Sequence, residues 1–164
     1  MAKYKEVTTT GPIEWAKIFE STRDMVGYEG SYEDCNGAYT VNQILDKPEF
    51  EKLKAAGTQK KPNQKRLMEG ELMLKFERKH LVVTKDGREI SQAGGAPKVT
   101  DADGQPWDAD INGNIGNGSM AAVTNLITTF QGSDGKTYSR TSLVSIKILE
   151  FVPIPEREDE IEAA

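Results

Sequence analysis

Ser119–Phe151 reads SMAAVTNLITTFQGSDGKTYSRTSLVSIKILEF, and this stretch decides the fold class. Two long runs, Ser119–Phe130 and Ser142–Phe151, are dense in β-branched and aliphatic residues. Between them lies QGSDGKTYSR, where Asp134-Gly135 is a turn signal, so the segment predicts a long β-hairpin with a Gly-rich loop that contains Tyr138. The loop ends like a phosphate-binding P-loop, GSDGKT. Phe130 stands where that motif needs its first glycine, however, and a strand follows where a helix is required.

The residues leading into the hairpin pose a similar question. DADINGNIGNGS, Asp108–Ser119, spaces Asp108, Asp110 and Asn112 as a calcium loop would, then offers three glycines in six residues. The twelfth position is Ser119, not the bidentate glutamate that calcium needs, and β pattern rather than helix flanks the loop. The glycine order is not that of a dinucleotide fold, and again a strand follows. Turn formation and entry into the strand explain the segment without a metal or a nucleotide.

Working outward, Glu71–Lys79 (ELMLKFERK) alternates, with Leu72, Leu74 and Phe76 facing in and Lys75, Glu77 and Lys79 facing out. Ala38–Leu45 is a further strand. Ile13–Phe19 is a first one, with Trp15, Lys17 and Phe19 on one face, after a turn-rich lead at Thr8–Pro12. KVTDADGQPW, Lys98–Trp107, is a short strand with its turn. Asp46–Gly57 (DKPEFEKLKAAG) predicts the one convincing helix. Asp46 and Glu49 form a capping box, Pro48 sits in the first turn, Phe50, Leu53 and Ala56 make a stripe, and Gly57 ends it. Too short to stand alone, this helix must plug one end of a sheet. Five to six strands with one helix in a connection suit a closed or nearly closed barrel, which removes exposed strand edges. A β-sandwich is the alternative.

Composition narrows the chemistry. The chain has 164 residues, one histidine (His80) and one cysteine (Cys35). A four-ligand zinc site and an internal disulfide are therefore excluded as expectations, and a reducing cytoplasm fits. No apolar run reaches the ~18 residues of a membrane span, and the N-terminus has no secretory hydrophobic region. Asp101, Asp103, Asp108 and Asp110 cluster, but in turns and with no nucleophile or base beside them, so hydrolysis is the weak hypothesis. No cofactor is expected.

Charge is unevenly spread. Phe50–His80 carries nine basic and four acidic residues, whereas Glu150–Ala164 carries one basic and six acidic. The basic stretch calls for an anionic partner and the acidic end for a tail able to compete with it. Basic residues also interleave with aromatics: Lys60, Lys61, Lys65 and Arg66 in one loop, Lys75 and Lys79 on the next strand, and Trp15, Lys17, Phe130, Lys136, Tyr138 and Arg140 on other strands or at their ends. Single-stranded nucleic acid asks for this pair of features, cations for phosphates and rings for bases. Trp107 and Tyr138, in polar loops, are the aromatics least demanded by a core.

In order, TGPIEWAKIFES, GAYTVNQILDK, KVTDADGQPW, IGNGS and LVSIKILEF resemble the single-stranded DNA-binding proteins of tailed phages, from about Thr10 to Val152. The resemblance implies an OB-fold domain over residues 1–154 and a disordered acidic tail over 155–164. It implies a non-enzymatic role in phage DNA replication, recombination and repair, in the host cytoplasm. Its partners would be single-stranded DNA and replication enzymes such as a polymerase or helicase-primase, with no membrane, and the protein would be a homodimer. Carried onto this chain, DNA contacts fall on Trp15, Lys17, Lys61, Lys65, Arg66, Lys75, Lys79, Trp107, Phe130, Lys136, Tyr138 and Arg140. The tail acids are Glu156, Glu158, Asp159, Glu160 and Glu162. Family tails often end in an aromatic residue, whereas this one ends EREDEIEAA, which suits charge competition better than docking. A calcium-stabilised β-sandwich serving as a structural or binding module is the competing reading.

Overall fold

The computed structural model describes residues 3–62, 70–83, 86–88 and 94–154. Its elements in chain order are β1 (Lys3–Lys17), β2 (Ala38–Asp46), α1 (Lys47–Ala55), β3 (Glu71–Lys79), β4 (Lys98–Thr100), the single helical turn α2 (Ala109–Asn112), β5 (Ser119–Gln131) and β6 (Thr137–Glu150). The strands form one sheet in the order β3-β2-β1-β5-β6-β4. Only β4 runs parallel to its neighbour; the other pairs are antiparallel. The sheet curls until β3 approaches β6, giving the partly open five-stranded barrel of an OB-fold rather than a sandwich.

The remaining seam lacks strand pairing, and side chains close it. Arg78 on β3 donates from Nη1 to Leu143 O on β6 (3.4 Å) and from Nε and Nη2 to Gly95 O (3.0 Å) and Gly94 O (3.1 Å). Nearer the hairpin, Gln59 does what a neighbouring strand would do. Its Nε2 donates to Thr137 O (2.9 Å), and its Oε1 accepts from Ser139 N (3.0 Å). These contacts satisfy the free edge of β6, which would otherwise be a template for another chain.

The core fills the barrel with Ile13, Val41, Leu45, Leu74, Phe76, Val123, Leu143 and Ile146, all buried. Helix α1 plugs one end through Leu53, with Phe50 and Ala56 packed beside it. Asp46 caps the helix by accepting from Glu49 N at 3.0 Å. The expected reciprocal half of the capping box is replaced: Glu49 Oε1 takes the backbone N–H of Thr10 (2.7 Å) and so ties the helix to β1.

Thr8–Pro12 is not a lead-in but the middle of β1, which begins ten residues before Ile13. The glycine that suggested a turn has another purpose. A Cβ on Gly11 would lie 2.1 Å from Ile44 O, so β1 and β2 cross too closely for any side chain. At the same crossing the fully buried Gln43 donates from Nε2 to Thr9 O (3.0 Å), Gly11 O (3.3 Å) and Ala121 O (3.1 Å), while its Oε1 accepts from Thr9 Oγ1 (2.7 Å). Strand β1 pairs with β5 along Lys3–Ile13 but with β2 only from Ile13 on, and Gln43 serves carbonyls that β2 leaves unpaired.

One buried polar side chain has no such service. Asn125 on β5 is fully buried, and neither its nitrogen nor its oxygen has a partner among the described residues. Its register neighbours are Val7 and Leu143. A buried amide without hydrogen bonds costs about 1–3 kcal/mol. Asn125→Leu, which keeps the number and branching of side-chain heavy atoms, is expected to raise stability by about 1–2 kcal/mol, read as a higher urea midpoint at unchanged m-value.

Candidate nucleic-acid interface

The hairpin turn is tighter than the sequence suggests: β5 runs to Gln131 and β6 begins at Thr137, so Tyr138 and Arg140 are strand residues and not loop residues. Gly132 N donates to Lys136 O (2.8 Å), and Gly135 adopts φ 81°, a left-handed conformation that suits glycine. Asp134 accepts from Lys136 N (3.0 Å) and from the Tyr138 hydroxyl. The Tyr138 hydroxyl, with the backbone of Lys136, holds the Asp134 carboxyl below the usual carboxylate range. The same contact fixes the Tyr138 ring at the outer surface.

Strand alternation places a platform beside this turn. Phe130 and Tyr138 are register partners, their rings 6.1 Å apart and tilted by 29°. The Arg140 guanidinium lies 5.5 Å from the Phe130 centroid. Tyr4 joins the same outward face, in line with Thr128 and Arg140, and is 69% exposed. Lys136 stands exposed at the turn. Flat rings with a guanidinium across one of them offer stacking and charge at one place. The sequence reading missed Tyr4 because it began β1 too late, although KYKEVTT already carries strand residues at alternate positions.

Across the seam, basic residues continue. Gln59 anchors the segment that holds Lys60 and Lys61. Burial pushes the Lys60 ammonium down, and the nearby charges are Glu77 and Lys75 on β3. Lys61 is exposed. Lys75 Nζ lies 5.6 Å from the Tyr32 ring, whose hydroxyl donates to Glu77. Asp24 is held below its ordinary value chiefly by the backbone N–H of Gly27, and Lys17 and Lys75 add to this. Lys17 and Lys75 thus share a field with Asp24. Lys79 is exposed opposite Ala38 at the far end of β3.

The two tryptophans lie elsewhere. Trp15 sits at a bulge between Glu14 and Lys17 with φ 52°, its backbone N–H donating to Asn117 Oδ1 (2.7 Å), and it is 62% exposed. Ser119, beside Ile13, is roughly 35 Å along β5 from Phe130 at about 3.3 Å per residue, so no single base touches both Trp15 and Phe130. Trp107 is half-buried rather than presented by a polar loop. It packs on the core and on Phe151 at 4.9 Å, and its Nε1–H donates to Gly113 O (2.9 Å). Lys65, Arg66 and the tail acids Glu156 to Glu162 lie outside the described residues.

The loop Asp108–Ser119 holds the framework together. Asp108 caps α2 by accepting from Asp110 N (3.0 Å), and Gly118 N donates to Ile13 O (2.9 Å). A Cβ on Gly116 would lie 2.5 Å from Pro153 O, so the segment that follows β6 runs directly over this glycine. Among the described residues no three His, Cys, Asp or Glu side chains gather where a metal would bind.

No family model and no curated protein sequence matches the chain. Solved structures do. The single-stranded DNA-binding protein gp2.5 encoded by bacteriophage T7 superposes with a TM-score of 0.60 at 16% identity, over 98% of this chain and 94% of that one. The single-stranded DNA-binding protein of bacteriophage Enc34 gives 0.51 at 11% identity, over 93% of this chain and 84% of that one. The same Enc34 protein in complex with single-stranded DNA gives 0.51 at 12% identity, over 92% and 88%. In fold, the chain is similar to the single-stranded DNA-binding proteins of these bacteriophages.

Proposed function

We propose that the protein binds single-stranded DNA with little sequence preference and acts in phage DNA replication, recombination and repair. The observation that carries this reading is the outward platform of Phe130, Tyr138 and Tyr4 with Arg140 across the Phe130 ring. Lys136 supplies a phosphate contact beside it, and Lys61, Lys75 and Lys17 supply others farther along the surface. Two phage proteins of the same fold are named for this activity, one of them solved with single-stranded DNA bound. Each phosphate neutralised would contribute about −0.7 to the slope of log affinity against log salt. The protein would act without chemistry of its own, in the host cytoplasm, as a homodimer that contacts replication enzymes.

Titration of a dye-labelled oligonucleotide, single-stranded against duplex, at two salt concentrations tests the proposal. Preference for the single strand and a steep salt dependence are expected; equal or absent binding to the two forms would overturn it. A second measurement addresses the acidic end, which balances the basic stretch in charge. Truncation after Ile154 is expected to tighten DNA binding several-fold at low salt. Unchanged affinity there would remove the idea that the tail competes for the site.

A further inference from the structure

The face that carries Phe130 and Tyr138 continues down β5 and β6, away from the hairpin. Outward positions on β5 after Phe130 are Thr128, Leu126, Thr124 and Ala122, and on β6 after Arg140 they are Ser142, Ser145 and Lys147. A shallow groove opens at the lower end, with a floor of small residues, Ala122, Thr124, Ser145 and Gly104. Lys98 on β4 and Lys147 on β6 both line it. Lys98 is the register partner of Ser145, so the two lysines stand on adjacent strands and converge on one depression. Hydroxyls reinforce the site: Thr8 and Thr124 bond each other through Oγ1 at 2.8 Å, and Thr100 lies at the rim. Acidic residues flank this lane without lining the groove: Glu6 on β1 is the register partner of Leu126, Asp103 precedes Gly104, and Glu150 follows Lys147 past its end.

Resting on the DNA-binding reading above, we propose that the outer face of β5–β6 is itself a track for the strand. Bases stack at the hairpin platform, and a phosphate several nucleotides away is held between Lys98 and Lys147. Floor residues this small let a sugar-phosphate backbone lie close to the sheet, where a larger side chain would lift it off. Arg140 to Lys147 spans roughly 20 Å at about 3.3 Å per residue, about four nucleotides of extended strand, within the range one OB-fold covers. Lys60, Lys75 and Lys79 of the basic stretch lie on or beside β3, across the seam, so this groove is a second phosphate site that the charge distribution of the sequence does not reveal.

The test compares the full chain with its Lys98→Ala/Lys147→Ala double variant, using oligothymidines of two and twelve nucleotides. Both positions are exposed, so folding is expected to be unchanged, and a thermal melt checks it. On the twelve-mer the salt slope should fall by about 0.7 to 1.4, one or two phosphate contacts, with affinity down about tenfold at low salt. The two-mer, too short to reach the groove from the platform, should lose much less. An unchanged slope on the twelve-mer, with wild-type binding intact, overturns the track and leaves the DNA-binding reading standing. Failure of the wild-type protein to bind either oligomer overturns both. As an opposite-sign control, Glu150→Gln should raise twelve-mer affinity modestly; a decrease would count against a strand passing this end.

Discussion

Phe130→Ala/Tyr138→Ala is expected to weaken binding of a single-stranded oligonucleotide by about 100-fold, with little change in its salt slope. The magnitude follows from stacking, about 1–3 kcal/mol for each base that loses its ring; two rings give roughly 3 kcal/mol because neighbouring losses are not additive. The unchanged slope follows because neither ring neutralises a phosphate. Arg140→Ala separates the two effects: it removes a charge and the cation facing Phe130, so affinity and slope should both fall. Tyr138→Phe keeps the ring and gives up only the bond to Asp134, so it should bind nearly as the parent does. Fluorescence anisotropy across a salt series reads all four proteins. Full affinity in the double alanine variant would show that bases stack elsewhere, with exposed Trp15 the next place to look.

Gln43→Leu is expected to cost about 3–4 kcal/mol of folding stability, lowering the melting temperature by roughly 10 °C for a chain of this length. Leucine fills nearly the same volume, so the loss is not a cavity effect. It comes from three backbone carbonyls and the Thr9 hydroxyl, all of which lose a partner in a place water does not reach. Gln43→Glu tests the donor half. The carboxylate keeps an acceptor for Thr9 but turns repulsive toward the three carbonyls, so at neutral pH it should destabilise at least as much. A leucine variant as stable as the parent would mean that β1 relaxes toward β2 and pairs its own carbonyls. Asn125→Leu, on β5, is the matched opposite case: the same change of type at a buried site with no partners to strand.

The comparison of these two amides shows what a sequence hides. Gln43 and Asn125 both sit at inward positions of strands, and both would be assigned to solvent by residue type. Nothing within a few residues of either tells that one bonds to carbonyls of two other strands and the other to nothing. Trp107 misled in the same way: a polar neighbourhood in sequence placed it outside, whereas Val99, Phe151 and the Gly113 carbonyl, brought up by the fold, hold it half-buried. Thr8–Pro12 misled because a glycine needed for close strand crossing looks the same as one needed for a turn. By contrast, the Leu72–Phe76 alternation, the Asp46 cap and the Asp134-Gly135 turn were legible because each depends on residues a few positions apart.

The candidate site divides along the same line. That Phe130, Tyr138 and Arg140 would share a strand end is a consequence of period-two alternation about a tight turn, which is local. That Tyr4 stands in line with Arg140, that Lys98 and Lys147 converge on one groove, and that Trp15 lies far from Phe130 depends on strand register across the whole chain. The sequence by itself determined a mainly β domain with one plugging helix, barrel or sandwich, and the kinds of group that suit a single nucleic-acid strand. Only the tertiary structure decided which of those groups meet. Side-chain periodicity is set by each strand's own backbone, whereas the neighbours of a side chain are set by which distant strands pair, and in what register.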